Sequence, residues 1–116
     1  MNNKPINFWL NPTHDEAIRS ISHKYFLKSR SALVGAFLAQ ESHLKFHHLQ
    51  KILDDQTLVN NTKDHIYTSV YLDVATYSLI KNISKEHNIS MSFFLSNLVN
   101  FYISNLELFD PFNIYQ

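Results

Sequence analysis

The chain of 116 residues contains no cysteine and only one glycine, and its formal net charge is zero. Without cysteine, neither disulfide bonds nor thiolate metal ligands are available. One glycine and three prolines are too few for a fold rich in tight turns, so they favour helices with few connections. A neutral chain has no general attraction for nucleic acid, so any such function must depend on local charge and local geometry.

Long apolar runs are also missing. No stretch approaches the roughly 20 residues that a membrane-spanning helix needs, and the first residues do not resemble a signal peptide. Hydrophobic residues nevertheless make up 45% of the chain and aromatic residues 14%, which is enough for a packed core. We therefore expect one soluble, cytoplasmic domain, or two small pieces that share a core.

The charges that are present are distributed unevenly. Residues 1–31 carry five Lys and Arg against two Asp and Glu, whereas residues 66–116 carry two against four. The N-terminal end is therefore modestly basic and the C-terminal half modestly acidic.

Residues 66–104 change from a strand pattern to a helix pattern. Thr68, Val70 and Leu72 alternate with Ser69, Tyr71 and Asp73, as in a strand with one apolar face. Apolar residues then recur at helical spacing on both sides of a break at residues 88–90. This stretch predicts one strand, one helix, a turn and a second helix, which together cannot bury their own apolar faces.

The N-terminal part has the same order of patterns. Ile6, Phe8 and Leu10 alternate with polar or aromatic neighbours, and Asn11 followed by Pro12 is typical of a helix start. A second helix begins after residues 29–31 (SRS). Its end is open: the pattern allows a helix of well over twenty residues, or a kink near His47 and His48. Residues 57–65 are polar and predict a linker.

These similarities predict an internal duplication. Residues 6–21 align with residues 68–83 at a shift of 62, and residues 29–38 align with residues 90–99 at a shift of 61. Each copy has a strand without a partner, and pairing the two strands would satisfy both backbones and cover both apolar faces.

The motifs resemble the ribbon-helix-helix family of the Arc and MetJ type. The second copy carries the closer likeness, in residues 68–73 (TSVYLD) and 88–92 (NISMS); the first carries residues 6–12 (INFWLNP) and 28–31 (KSRS). The resemblance implies a mainly α fold with a short two-stranded antiparallel β-ribbon. With both copies in one chain, it implies tandem ribbon-helix-helix units that form an intramolecular pseudo-dimer. The expected organisation is a first repeat (1–56), a linker (57–65), a second repeat (66–105) and a tail (106–116), folded jointly.

In this family the ribbon enters the major groove of double-stranded DNA. The side chains expected on its outer face, which we interpret as base-reading, are Asn7, Trp9, Asn11, Ser69, Tyr71 and Asp73. The residues expected to contact phosphates, at the starts of the second helices and on the basic N-terminal side, are Lys4, Lys28, Ser29, Arg30, Ser31, Ser90 and Ser92. The alternative is structural: Trp9 and Tyr71 cover the ribbon or pack against another molecule, and the serines only cap helices.

The favoured function is a sequence-specific DNA-binding protein, a transcriptional repressor that occupies an operator. Its sparse Lys and Arg predict weak binding by one unit, so that tight binding requires self-association on tandem sites or a partner protein. One alternative is an accessory DNA-binding protein of plasmid transfer, with a relaxase as partner. Another is an antitoxin that binds a toxin through residues 106–116; against this, the aromatic residues of the tail could simply fold back on the core or mediate self-association.

The chain contains seven histidines, a residue type that often binds metal ions. His43 and His47 are four residues apart on a predicted helix, near His48 and Glu41, a spacing that can chelate a divalent ion. We expect packing or solvated roles for them, and no metal site or cofactor. No catalytic spacing or phosphate-binding loop stands out, so we do not expect an enzyme.

Overall fold

The computed structural model describes residues 3–25, 27, 29–56 and 65–110. Within these ranges the protein is mainly helical, with five α-helices and one two-stranded antiparallel sheet. The elements in chain order are β1 (Lys4–Leu10), α1 (Pro12–Lys24), α2 (Arg30–His43), α3 (Leu49–Leu53), β2 (Ile66–Leu72), α4 (Val74–Glu86), α5 (Met91–Ser104) and a 3₁₀ helix (Leu106–Leu108). None of the helices in these ranges is long and apolar enough to cross a membrane.

The sheet is a ribbon in which β1 pairs with β2, and Asn7 lies opposite Ser69 at its centre. Alternation directs one set of side chains toward the helices, and five of these are buried: Ile6, Phe8, Leu10, Val70 and Leu72. A shift of register by one residue would expose all of them, so burial fixes the pairing. Pro5 fits because its missing N–H would lie on the outer edge, in phase with Trp9, whose N–H bonds outside the ladder.

The first helix after each strand begins at a capping side chain. Asn11 Oδ1 accepts a hydrogen bond from the Thr13 N–H at 3.0 Å, and Asp73 Oδ1 accepts one from the Thr76 N–H at 2.7 Å. Pro12 occupies the first turn of α1, where a missing N–H costs nothing. Both helices bury a narrow apolar stripe, formed by Ile18 and Ile21 in α1 and by Ile80 and Ile83 in α4.

The two long second helices, α2 and α5, form the centre of the core. Ser29 caps α2 and Ser90 caps α5, each through its side-chain oxygen. Across their contact the rings of Phe37 and Tyr102 stack, with centroids 5.0 Å apart and planes inclined by 12°. Both rings are fully buried, as are the neighbouring apolar side chains Leu33, Phe94, Leu95 and Leu98.

α2 ends earlier than one of its two predictions, a helix of well over twenty residues, allowed. Lys45 and Phe46 have positive φ values of 55° and 57°, and the Phe46 N–H bonds to the Glu41 carbonyl at 2.7 Å. This bond is typical of a helix that ends in left-handed residues. The prediction of a helix well over twenty residues long is therefore wrong. The chain leaves the helix before His47 and His48, and α3 follows as a separate short helix.

The two strand–helix–helix halves match in length and spacing. The strands have 7 residues each, the first helices 13 each and the second helices 14 each. Strands and first helices start 62 positions apart (4 and 66, 12 and 74), and second helices start 61 apart (30 and 91). The extra residue of the first half lies in the turn between its two helices.

Each strand packs on the second helix of the other half, so the halves interlock. β1 contacts α5 and β2 contacts α2. The Trp9 N–H donates to Ser96 Oγ at 2.8 Å, and the Tyr71 N–H donates to Ser31 Oγ at 3.0 Å. The Ser92 hydroxyl donates to the Asn7 carbonyl at 2.5 Å. These bonds satisfy backbone groups on the two open edges of the ribbon, which would otherwise need water or another strand.

Candidate nucleic-acid interface

The outer face of the ribbon, the side turned away from the helices, consists of three cross-strand pairs. They are Pro5 with Tyr71, Asn7 with Ser69, and Trp9 with Tyr67. Tyr71 is 58% exposed and Tyr67 53% exposed. The rings of Trp9 and Tyr67 lie 4.5 Å apart, inclined by 46°. This outer face therefore has a polar centre, an aromatic pair at one end and a single tyrosine at the other.

Four of the six residues that we interpret as base-reading lie together on the outer face: Asn7, Trp9, Ser69 and Tyr71. The remaining two, Asn11 and Asp73, follow the strands and cap the next helices. The hydrogen bond from the Thr76 N–H is the main reason that the pKa of Asp73 lies below its usual value, so this carboxylate stays ionised near neutral pH. The side-chain oxygens of these two residues are thus already used as helix caps, although base contact by either one stays a prediction.

The sequence interpretation did not include Tyr67 and Pro5, which occupy equivalent positions in the two halves. The signal was present, since Tyr67 continues the alternating phase of Ser69 and Tyr71. The predicted outer face began at Asn7 and Ser69, however, and strand ends are set by pairing rather than by local pattern. The antiparallel register extends each strand and brings both residues onto the outer face.

The serines at the starts of α2 and α5 are used by the fold. Ser29 Oγ accepts from the Ala32 N–H at 3.1 Å and Ser90 Oγ caps its helix in the same way. Ser31 and Ser92 hold the ribbon edges, as described above. What these helix starts still offer a phosphate is their first backbone N–H groups, which have no partner within a helix, together with the positive end of the helix dipole.

Of the side chains predicted to bind phosphate through a positive charge, Arg30 already has hydrogen-bond partners within the protein. Arg30 donates to Thr68 Oγ1 at 2.6 Å and to Asp15 Oδ1 at 3.0 Å, so it joins α2 to β2 and α1. Lys4 is exposed at the end of the ribbon, with Nζ 5.6 Å from the ring centroid of Tyr77. Lys28 lies outside the described residues. No Lys, Arg, Asp or Glu is present among the six residues of the outer face.

The histidines near the end of α2 have separate environments. His43 and His47 are exposed, whereas His48 is partly buried with Nδ1 2.6 Å from Glu41 Oε1. Glu41 is 1% exposed and also accepts a hydrogen bond from the Tyr102 hydroxyl. Burial first, and then this carboxylate, raises the pKa of Tyr102. Over the residues that the structure describes, no three His, Asp or Glu side chains are grouped so that they could hold a metal ion.

The first part of the C-terminal tail folds back on the core. Phe109 is 4% exposed and meets the Phe37 ring edge-on at 4.8 Å. The Gln40 side chain accepts from the Asp110 N–H at 2.6 Å and donates to the Leu108 carbonyl. Within the predicted partner-binding segment, 106–116, Phe109 is therefore part of the core, and residues 111–116 lie outside the described ranges.

The outer face also differs from the rest of the described surface in its aromatic content. Tyr67 and Tyr71 are the two aromatic residues among the large hydrophobic side chains that are exposed there. The others are aliphatic and scattered over several elements: Leu44, Ile66, Val74, Leu106 and Leu108. Comparisons of the chain with protein-family models, with curated proteins and with solved structures find no match.

Proposed function

We propose that this chain is a tandem ribbon-helix-helix protein whose two repeats form an intramolecular pseudo-dimer, and that its ribbon binds double-stranded DNA sequence-specifically. The reciprocal packing supports the pseudo-dimer, because each strand depends on the second helix of the other half for its edge hydrogen bonds. The matched element lengths and the offsets of 62 and 61 positions support the duplication.

One observation carries the proposal for DNA: the outer face of the ribbon is an exposed surface that the core does not use. Tyr71 and Tyr67 are more than half exposed, while Phe8 and Val70 on the opposite face are completely buried. A two-stranded ribbon fits the major groove, where its outward side chains reach base edges. A surface needed only for stability would be expected to leave fewer large aromatic rings in water.

The pairs across the ribbon indicate how it would read DNA. Asn7 can bond two edge atoms of adenine, and Ser69 beside it can donate or accept. Trp9 and Tyr67 supply an apolar contact for thymine methyl groups at one end, and Tyr71 supplies a hydroxyl at the other. Because the two ends differ, we propose an asymmetric target site.

Charge limits the strength of binding by a single molecule. The outer face is uncharged, Arg30 is engaged with Asp15 and Thr68, and phosphate contacts fall largely to Lys4 and the backbone N–H groups at the starts of α2 and α5. Few counterions would be released, so the salt dependence of binding should be shallow. We therefore propose that several copies bind side by side on tandem sites, or that a second protein strengthens the complex.

The cellular role that we propose is repression of transcription in the cytoplasm by occupation of an operator. A transfer-origin accessory protein that assists a relaxase would use the same ribbon, and the two roles differ in where the target sequence lies in the genome. Mapping the selected sequence to a promoter or to a transfer origin separates them.

The test is selection of bound sequences from random double-stranded DNA at two salt concentrations, followed by binding measurements on variants. Trp9→Ala and Tyr71→Ala should each weaken specific binding by about 1–3 kcal/mol. Leu44→Ala is the control, since Leu44 is 40% exposed and follows the C-terminal end of α2, whereas Ser31 at the other end of this helix bonds to the ribbon. If both aromatic variants fold normally and bind the selected DNA as tightly as the original chain, the proposal is wrong.

The uncharged, aromatic character of the same face favours a second candidate, a protein partner. Aromatic side chains are enriched at protein interfaces, and Lys is depleted there. An antitoxin that binds a toxin belongs to this class. Co-purification of one small protein in a fixed ratio, abolished by Tyr71→Ala, together with no enrichment of any DNA sequence, would favour this candidate over the regulator.

A further inference from the structure

One side chain among the six residues of the outer face, Asn7, carries an amide. An amide donates from nitrogen and accepts at oxygen, so it can form two different hydrogen bonds to the edge of one base. The other five residues are a proline, an indole and three residues with a single hydroxyl group: Pro5, Trp9, Tyr67, Ser69 and Tyr71. Recognition of a base through two bonds therefore depends on one residue at the centre of the ribbon.

The strand fixes the backbone of Asn7 and leaves its side chain exposed. The Asn7 carbonyl accepts from the Ser92 hydroxyl at 2.5 Å, and the Trp9 N–H, two residues further on, donates to Ser96 Oγ at 2.8 Å. Asn11 continues the same alternating phase, but its Oδ1 already accepts from the N–H and the hydroxyl of Thr13 at 3.0 and 2.9 Å. Asn7 is thus a positioned amide that the fold does not use as a cap, as a reading group requires.

The two central positions of the ribbon are not equivalent. Asn7 lies directly opposite Ser69, its counterpart in the other half. A serine hydroxyl can donate or accept at several base edges, whereas an asparagine amide pairs bidentately with adenine at N6 and N7. One amide can contact one adenine, and that adenine belongs to one of the two DNA strands. Recognition of adenine at the centre is therefore specific for one strand.

The chemistry of adenine makes this contact sensitive to methylation. Nitrogen N6 of adenine carries two hydrogens, and one of them is used in the pair with thymine. A methyl group on N6 of a paired adenine must therefore take the place of the other hydrogen, which faces N7 in the major groove. There it removes the donor that the Asn7 oxygen would accept from, and it occupies the space of that oxygen.

We propose that binding of this protein to its target is controlled by N6-methylation of a single adenine, the one that Asn7 contacts. Methylation of adenines in the opposite strand leaves this contact intact. Of the two hemimethylated forms of the target, the protein thus binds one and releases the other. This regulation rests on the proposed function, because Asn7 meets adenine only if the ribbon enters the major groove.

The test uses the full chain and the sequence selected from random double-stranded DNA. Duplexes that carry N6-methyladenine at one adenine at a time, in either strand, are titrated beside the unmodified duplex. One modification should weaken binding by about 5- to 150-fold, the range expected for one bidentate contact. At the same position 7-deazaadenine, which lacks the N7 acceptor, should also weaken binding. Methylated adenines in the opposite strand should be tolerated.

The variants use the two central positions against each other. Asn7→Ser gives β1 the residue of its counterpart, and this variant should bind the methylated and the unmodified duplex equally. Ser69→Ala, on the opposite strand of the ribbon, should retain the methyl effect. Asn82→Ser makes the same substitution as Asn7→Ser at an exposed asparagine of α4 and should also retain it. Asn7 and Ser69 are exposed, so both variants should fold as the original chain does, which circular dichroism can verify.

The results distinguish a failure of this regulation from a failure of the proposed function. If the selection enriches no sequence, the ribbon does not bind DNA specifically and both proposals are wrong. If a sequence is selected and bound but no single methylated adenine weakens binding, DNA binding stands and the regulation is overturned. The same holds if the methyl effect persists in Asn7→Ser, or if methylation of either strand weakens binding equally.

Discussion

The two halves of the molecule have the same elements in the same order, yet their chemistry differs at corresponding positions. Glu41 and Tyr102 are 61 positions apart and meet in the core, where the tyrosine hydroxyl donates to the carboxylate. His48 covers Glu41 on one side, while its counterpart Phe109 covers Tyr102 on the other. The apolar positions of the two halves are alike because both must pack, whereas the polar groups beside them differ.

A second difference concerns what lies on each second helix. Asn97 and Asn100 of α5 bond to residues near the end of α3, and the pocket where α5 meets the end of β1 has a volume of only about 10 Å³. The alanines and the glycine of α2 offer no such bonds, and the groove where α2 meets the end of β2 has a volume of about 530 Å³. Near-equivalent backbones thus give unlike surfaces. Five predictions test how far the halves differ, in order of decreasing effect.

The largest difference should appear inside the ribbon. Phe8 and Val70 are counterparts and both are 0% exposed, but the phenyl ring is much larger. Phe8→Ala should lower the free energy of unfolding by about 3–5 kcal/mol, and Val70→Ala by about 2 kcal/mol. Urea unfolding checks both, with the exposed Ser69→Ala as a control. Equal losses would contradict the unequal packing of the two strands.

The second largest loss of stability should follow from removing the contact between Glu41 and Tyr102. Tyr102→Phe leaves the buried carboxylate with the hydrogen bonds from His48 alone, and should cost about 1–3 kcal/mol at neutral pH. Thermal or urea unfolding measures this loss. A variant as stable as the original would show that the hydroxyl contributes nothing to the core.

The same residue gives the chain a pH dependence whose sign follows from its raised pKa. Below the usual tyrosine value of 10.0 both folded and unfolded forms keep the proton, so this part of the stability is constant. Above it the unfolded chain releases the proton first, and stability falls by up to about 1.4 kcal/mol per pH unit. Tyr102→Phe should lack this component, and an unchanged slope above pH 10 in that variant would contradict it.

Exchanging counterparts at the starts of the second helices tests the uneven charge. Arg30→Met gives the first half the residue of the second, and should cost about 1–2 kcal/mol because the bonds to Thr68 and Asp15 are lost. Met91→Arg should instead increase the affinity for DNA and steepen its salt dependence by about one unit. An unchanged salt slope would show that this helix start does not approach phosphate.

The smallest effect concerns the two caps. Asp73→Ala and Asn11→Ala should each cost about 1 kcal/mol, since each leaves an N–H at a helix start without its acceptor. The contributions of the two caps to stability should differ at acidic pH. The pKa of Asp73 is lowered mainly by the Thr76 N–H, so its contribution is complete above the ordinary aspartate value of 3.8 and is lost as pH falls through the lowered value. Asp73→Asn should remove this acid-dependent loss while it retains the cap, as unfolding at low pH can show.

Local patterns in the sequence were sufficient for the ribbon, its buried face and the first residues of the long helices. Alternation identifies the apolar side of a strand, and an Asn or Ser before a helical stripe identifies a cap, because both depend on neighbours only a few residues away. The same patterns placed Asn7, Trp9, Ser69 and Tyr71 on one face before any pairing was known. They also gave the offsets at which the elements of the two halves begin.

Other features required the tertiary structure because they join residues far apart in the chain. The chain turns away after α2 at Lys45 and Phe46, two residues with no general preference for positive φ, while Glu41 in the last turn of α2 is held by Tyr102, 61 residues away. The sequence predicts that Arg30 contacts phosphate, but in the structure its guanidinium group bonds to Asp15 and Thr68.

The sequence by itself thus determined which side of each element is buried, since periodicity along the chain decides that locally. Only the fold decided which polar groups are left for a partner, because a polar side chain can bond either to solvent or to a residue that the chain brings back beside it. For the outer face of the ribbon, the return of β2 against β1 added Tyr67 and Pro5 to the residues that alternation had identified.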